Sequence, residues 1–170
     1  EKKEISLVLG NITKEDIEKY DLLVLSPGIS VNAPIAQMFY DQEKPVWSEI
    51  ELAYQASKGK IAAITGTNGK TTTTALTGEI MKGYYESSFV VGNIGIPYTS
   101  VALDTQENSV ITAEISSFQL ETIVDFKPDV CAVLNITPDH LDRHGTVEVY
   151  AKTKESIGKN QTKDQIMVLN

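Results

Sequence analysis

The sequence predicts an α/β fold, a mostly parallel sheet with flanking helices. Three observations carry that reading. Short β-branched runs alternate with amphipathic stretches along the chain, the pattern of strands joined by crossover helices. One apolar strand runs straight into a glycine-containing turn and a helical stretch. The composition, 41% hydrophobic and 22% charged over 170 residues, is that of a globular chain long enough to bury a core.

The expected strands are residues 5–9, 22–25, 60–64, 89–91, 109–113, 130–136 and 165–169. A helix start is expected at Asn11-Ile12-Thr13-Lys14-Glu15-Asp16 and a helix at residues 48–55. The segment Ala56-Ser57-Lys58-Gly59 separates that helix from the next strand and is the best candidate boundary. The chain opens in mid-pattern and stops on a strand with nothing after it to cover that strand, so it is expected to be a fragment of a longer protein.

Charge and cysteine content exclude several classes. With 15 Lys+Arg against 23 Asp+Glu the net charge is −8, which argues against broad binding to nucleic acid or anionic membrane but leaves room for a local basic pocket. No run reaches the roughly 18 apolar residues of a spanning helix, and Glu1-Lys2-Lys3-Glu4 does not open a signal peptide. A single cysteine, Cys131, excludes an internal disulfide, suits a reducing, cytoplasmic compartment and is expected to be a small core residue.

The chemistry starts at Thr65-Gly66-Thr67-Asn68-Gly69-Lys70-Thr71-Thr72, which follows the strand at 60–64. A strand, a glycine turn and a helix N-terminus aim backbone N–H groups and the positive end of a helix dipole at an anion. Gly66 and Gly69 permit the tight backbone, Lys70 can reach β and γ phosphates, and the Thr71 hydroxyl can ligate Mg²⁺. The strict Walker pattern wants glycine six positions before the lysine, where Ile64 stands, so the general motif fails by one residue. Leu76, Ile80 and Met81 recur at helical spacing after the loop.

Metal-binding candidates lie where parallel sheets build sites, beyond strand carboxyl ends. Glu114 follows Val110-Ile111-Thr112-Ala113, where a phosphate-loop enzyme places a magnesium acid. His140 follows Leu134-Asn135-Ile136-Thr137-Pro138-Asp139. His144, after an arginine in a glycine turn, is expected to be solvated.

A helix over residues 146–156 has the apolar stripe Val147, Tyr150, Ala151 and Ile157, and Lys154 falls within it. Lys152 falls about 160° away, on the polar face. An inward lysine is costly unless it snorkels, is paired or loses its charge. Two readings stay open for Lys154: an amine reaching a phosphate or carboxylate, or a carbamate in which the desolvated amine has captured CO₂.

Together these segments resemble the Mur ligases of bacterial cell-wall synthesis. The resemblance rests on Ser26-Pro27-Gly28-Ile29, the loop at 65–72, Gly92-Asn93-Ile94-Gly95, Glu114-Ile115-Ser116-Ser117-Phe118-Gln119-Leu120-Glu121, the stretch 134–144 and Tyr150-Ala151-Lys152-Thr153-Lys154. The variant loop is shared with folylpolyglutamate synthases and accounts for Ile64. Ser-Ser-Phe-Gln-Leu-Glu and Ser-Pro-Gly-Ile point to the D-glutamate-adding member.

The resemblance implies a P-loop ATPase-type central domain preceded by part of a Rossmann-like domain: residues 1–56 the later part of the UDP-substrate domain, 57–170 an incomplete central domain, the C-terminal domain absent. It implies an ATP-dependent ligase that joins D-glutamate to UDP-N-acetylmuramoyl-L-alanine through an acyl phosphate, acting as a monomer. Gly66, Thr67, Asn68, Gly69, Lys70, Thr71 and Thr72 would hold ATP. Thr71 and Glu114 would hold one Mg²⁺, and His140 with carbamylated Lys154 a second. Ser26, Pro27, Gly28, Asn93 and His140 would touch the UDP-linked substrate, with Lys70, His140 and Lys154 the catalytic set. The alternatives are another Mur ligase or a folylpolyglutamate synthase-like enzyme, and a non-catalytic nucleotide-binding module. A GTPase is disfavoured, since no Asn-Lys-x-Asp segment is present.

Overall fold

The computed structural model describes residues 5–10, 12–93 and 95–170. Asn11 of the expected helix start, Ile94 of the glycine-flanked segment and residues 1–4 lie outside the described residues.

The first part of the chain forms α1 (Lys14–Glu18), β1 (Leu23–Leu25), α2 (Pro34–Asp41), β2 (Val46–Ser48) and α3 (Glu49–Ala56). Helix α1 starts at Thr13, whose hydroxyl accepts the Asp16 amide while the Asp16 carboxylate accepts the Thr13 amide. Strands β1 and β2 pair in parallel, Leu23 opposite Val46, over a small core of Ile17, Leu25, Ala36, Phe39 and Val46. The strand expected at 5–9 is not formed: Ile5, Leu7 and Leu9 are 92%, 80% and 82% exposed, outside either sheet. Strand propensity becomes a strand only beside a partner, and β1 and β2 pair with each other alone. Conversely, β2 escaped the sequence reading because three residues, the last of them the Ser48 helix cap, are too few to display an alternation.

The larger part contains β3 (Lys60–Thr65), α4 (Lys70–Tyr84), β4 (Ser88–Gly92), β5 (Val110–Glu114), α5 (Ser117–Leu120), β6 (Val130–Val133), α6 (Leu141–His144), α7 (Val147–Glu155) and β7 (Ile166–Leu169). Its five strands are all parallel, in the order β4-β5-β3-β6-β7. From central β3 the chain crosses to the edge at β4, returns to β5, and then passes to the other side at β6. The switch point therefore lies beyond the carboxyl end of β3, where α/β sheets bind ligands.

One face of this sheet holds the main core, including Ile61, Ala63, Ile111, Ala113, Phe126 and Cys131, and α3 contributes Ile50 and Ala53 to it. Cys131 is fully buried, and burial pushes its thiol up to about 11, which keeps it an inert core residue at neutral pH. On the opposite face α4 buries Thr74 and Gly78, whereas Leu76 and Ile80 are 62% and 50% exposed. The helix forms as the spacing predicts, but its sheet face is the small-residue side. A side chain at 78 would place its Cβ 2.2 Å from Val90 Cγ2, so glycine sets the approach of helix to sheet.

Strand β6 ends at Val133, short of the expected 136, because the following backbone turns to serve the glycine loop: Thr67 N–H donates to the Asn135 carbonyl at 3.0 Å. At the far side of the core the fully buried Glu51 carboxylate of α3 accepts the amides of Val124, Asp125 and Phe126 at 2.8, 3.0 and 3.0 Å. The carbonyls of that same loop are taken by Lys159, on Ile123, and by Asn160, on Val124 and Phe126.

Candidate functional site

The loop leaving β3 is held by the residues after β6. Asn68 N–H donates to Asn135 Oδ1 at 2.9 Å and Asn135 Nδ2 returns a bond to the Asn68 carbonyl at 3.0 Å. The Thr67 hydroxyl lies 3.2 Å from both the Thr137 carbonyl and the Tyr150 hydroxyl. Gly69 caps α4 with φ +80°, a left-handed conformation that favours glycine and leaves the first amides of a fifteen-residue helix facing outward. Gly66, at φ +147°, lies under Leu134, whose Cβ would be 3.1 Å from an added Cβ. The result is a preformed anion cradle at a helix N-terminus. Thr72 sits exposed in its first turn.

A chain of polar side chains crosses the strand ends beside the cradle. The Thr71 hydroxyl donates to Glu114 Oε2 at 2.8 Å, and Asn93 Nδ2 donates to Glu114 Oε1 at 2.8 Å. Glu114 is 2% exposed at the carboxyl end of β5, and these two side chains are what satisfy it. Lys70 folds back to donate to the Thr67 carbonyl at 2.9 Å.

Lys154 is 1% exposed, while Lys152 is exposed on the other side of α7, as helical spacing predicts. Its Nζ donates to the Gly66 carbonyl at 2.8 Å and stands 4.7 Å over the Tyr150 ring. Among the described residues no carboxylate forms an ion pair with it. Burial, helped by the nearby Lys70 charge and opposed by Asp139, holds its amine down to about 8. A buried amine of that kind spends an appreciable fraction of its time neutral near physiological pH, the form that reacts as a nucleophile.

His140 caps α6 in the left-handed region, φ +50°, and its ring is half exposed, 3.5 Å from Asp139 and packed near Phe118. His144 corrects the sequence expectation. It is buried, not solvated: the single turn of α6 folds it inward, where its ring stacks on Phe118 and its Nε2 meets Ser117 Oγ at 3.0 Å. Burial lowers its basicity, against the opposing pull of Glu121, and so disfavours the protonated ring.

Lys70, Asn93, Ser116, Ser117, His140, Tyr150 and Lys154 line one cleft of about 240 Å³. The geometry thus gathers five of the sequence candidates, Lys70, Thr71, Asn93, Glu114 and Lys154, with His140 at the rim. It does not bring Ser26, Pro27 and Gly28 into that cleft; Ser26 and Pro27 line a separate seam with Phe118, Gln119 and Arg143. Ser117, Tyr150 and Asn135 were quoted in motifs but had no role by spacing alone, because their partners lie 27 to 83 positions away in sequence. Among the described residues no three His, Cys, Asp or Glu side chains converge as a metal cluster. The pair Thr71 and Glu114 does present hard oxygen donors of the type Mg²⁺ takes alongside phosphate and water.

Residues 64–170 match the family model described as the Mur ligase middle domain. The chain belongs to the Mur ligase family. It is 56% identical over 164 residues to a UDP-N-acetylmuramoylalanine–D-glutamate ligase of Lachnoclostridium phytofermentans, and 58% identical over 164 residues to the enzyme of that name from Lachnospira eligens. Each match covers 96% of this chain, and the chain spans 36% of the length of either relative. Among solved structures it resembles the MurF ligase of Thermotoga maritima in complex with ADP, with a TM-score of 0.57 and 20% identity over 88% of this chain and 42% of that one. That likeness establishes a shared Mur ligase fold, in which the cradle, Glu114 and the cleft occupy the sheet's switch point.

Proposed function

We propose that the protein of which this sequence is part is the D-glutamate-adding Mur ligase, an ATP-dependent, ADP-forming ligase of peptidoglycan precursor synthesis. The carrying observation is the convergence of the glycine cradle, Lys70 and the Thr71–Glu114–Asn93 chain at one end of a parallel sheet. On this reading residues 1–56 are the later part of the UDP-substrate domain, with α3 as its joint, and 57–170 belong to the central ATPase domain. The two relatives of that name support the choice of acceptor and amine.

On this reading the reaction has two steps. The terminal carboxylate of UDP-N-acetylmuramoyl-L-alanine attacks the γ-phosphorus of ATP, the bond to the bridging oxygen breaks, and ADP leaves. The free amine of D-glutamate then adds to the acyl phosphate carbonyl, and the tetrahedral intermediate expels phosphate as the amine loses a proton. Such transfer needs positioning and charge neutralisation more than covalent help. The cradle amides and Lys70 hold the phosphates; swinging Lys70 from the Thr67 carbonyl costs one exchangeable hydrogen bond. Thr71 and Glu114 would hold one Mg²⁺, and Lys154, as a carbamate, with His140 a second. Bound magnesium supplies charge neutralisation on the transferring phosphoryl group. Asn93 orients Glu114 and faces the cleft where the acceptor carboxylate must lie. The reading includes a cytoplasmic monomer; no helix among the described residues is long and apolar enough to cross a membrane.

The test is ADP release by the full-length enzyme. ADP formation that requires both UDP-N-acetylmuramoyl-L-alanine and D-glutamate is the expected result. Turnover that needs only one of them, or prefers a different amino acid, would overturn the assignment.

A further inference from the structure

The turn at residues 26–29 closes on itself through the Ile29 amide and the Ser26 carbonyl, 2.9 Å apart, and its surroundings show how it is fixed to the larger part of the molecule. Arg143 Nη2 donates to the Ile29 carbonyl at 3.0 Å, across 114 positions of sequence. The same guanidinium donates through Nε to Glu121 Oε1 at 3.2 Å and through Nη2 to Glu121 Oε2, and it lies 4.8 Å above the Phe118 ring. Its side chain is 15% exposed and that of Glu121 12%. Among the described residues this is the one side-chain hydrogen bond from the larger part to the turn.

We propose that Arg143 is a positioning residue: it fixes the turn at 26–29 to the phosphoryl-transfer part and so sets where the UDP-linked substrate is held relative to the cradle. The proposal rests on the reading of Ser26, Pro27 and Gly28 as substrate contacts. The physical argument is that a planar guanidinium, fixed by a carboxylate on one edge and an aromatic face below, has no freedom left. The second N–H of Nη2 then points in a fixed direction, and the turn's carbonyl is held there. An ammonium can balance the Glu121 charge but cannot pair with it bidentately, stack on Phe118 and reach the carbonyl together. Phe118, the residue stacked beneath, also lines the reaction cleft, so the tether and the cleft wall share one rigid support.

The experiment compares full-length wild type with Arg143→Lys by amide hydrogen exchange and by equilibrium binding of two ligands, UDP-N-acetylmuramoyl-L-alanine and a non-hydrolysable ATP analogue. Exchange at residues 26–33 should quicken about tenfold while β3 and β5 amides stay protected, the scale of one lost hydrogen bond to a charged group. The acceptor Kd should rise about tenfold and the ATP-analogue Kd should not move. A merely structural arginine would loosen both binding sites or lower Tm without that split. Unchanged exchange at 26–33 overturns the tether. Faster exchange with unchanged acceptor affinity overturns the positioning role. If wild type binds no UDP-linked acceptor at all, the functional reading is what fails, and the exchange result still decides whether Arg143 holds the turn.

Discussion

Two buried carboxylates of this molecule are satisfied in different ways. Glu51 is saturated by three backbone amides and by Gln55 Nε2, and Glu114 by two side chains, the Thr71 hydroxyl and the Asn93 amide. Backbone donors in a folded loop cannot turn away, so Glu51 is committed to holding residues 124–126 against α3. Side-chain donors can be exchanged for a ligand at the cost of a rotamer. Two acids of equal burial can therefore differ in function: the one whose partners can rotate is available for chemistry, and the other is a fastener.

The largest expected effects break the Glu114 side of this comparison. In the full-length enzyme Lys70→Ala and Glu114→Gln should each lower kcat/KM by about a thousandfold, the scale of one preorganised charge contact in phosphoryl transfer. Their melting temperatures should stay within a few degrees of wild type, because the role proposed for both residues is toward ligand charge rather than core packing. Activity within a few-fold of wild type for either variant would remove that residue from the site.

Glu51→Ala should do the reverse. Three backbone amides, that of Phe126 buried, lose their acceptor, which costs about 3 kcal/mol of stability in denaturant unfolding, while Glu51→Gln, keeping one acceptor oxygen, should cost about half as much. A neutral result for Glu51→Ala would mean that water satisfies the loop and that the contrast between the two acids is one of position only.

The lysines sharpen the comparison along a single helix. Lys154→Ala should cost about a hundredfold in kcat/KM of the full-length enzyme, whereas Lys152→Ala should be nearly neutral, since the two point about 160° apart. If the buried amine carries CO₂, isotopically labelled bicarbonate should give a carbamate signal by NMR in wild type that is absent in Lys154→Ala, and acetate should restore part of the lost activity. A bare amine at Lys154 in a crystal grown with ATP analogue, Mg²⁺ and bicarbonate refutes the carbamate. Equal losses from both lysine variants would refute the helix-face argument.

The cradle was legible because its residues are consecutive: one strand, two glycines and a helix start suffice to define an anion site. Strands β3 and β5 of the larger sheet were legible because they are covered on both faces, which imposes apolar runs, whereas edge strand β7 is largely exposed and was legible from its apolar run of Ile166, Met167, Val168 and Leu169 alone. Residues 5–9 misled because propensity says nothing about whether a partner strand lies alongside. His144 misled for a related reason: a polar residue in a glycine turn reads as solvated, and only the packing of Phe118, Ser117 and Tyr150 around α6 buries it. The Glu51 hub and the Arg143 tether join residues 73 to 114 positions apart, and periodicity reports which face a residue occupies without naming what lies opposite.

The smallest expected effect reads the same burial thermodynamically. Burial holds the folded Lys154 amine near 8, whereas its ordinary value is 10.5. Between those two values the unfolded chain binds a proton that the folded chain has released, so stability rises as pH increases through that window, is lost again as pH falls through it, and no longer changes once both states are protonated below about 8. The Gly66 carbonyl and the Tyr150 ring both favour the ammonium and temper the slope. In bicarbonate-free buffer, wild type should therefore gain stability between pH 8 and 10 relative to Lys154→Met, whose side chain fills similar volume without titrating. Parallel pH profiles for the two proteins would show that the folded amine titrates at its ordinary value. The buried stripe of α7 would then hold a lysine whose charge is fully compensated.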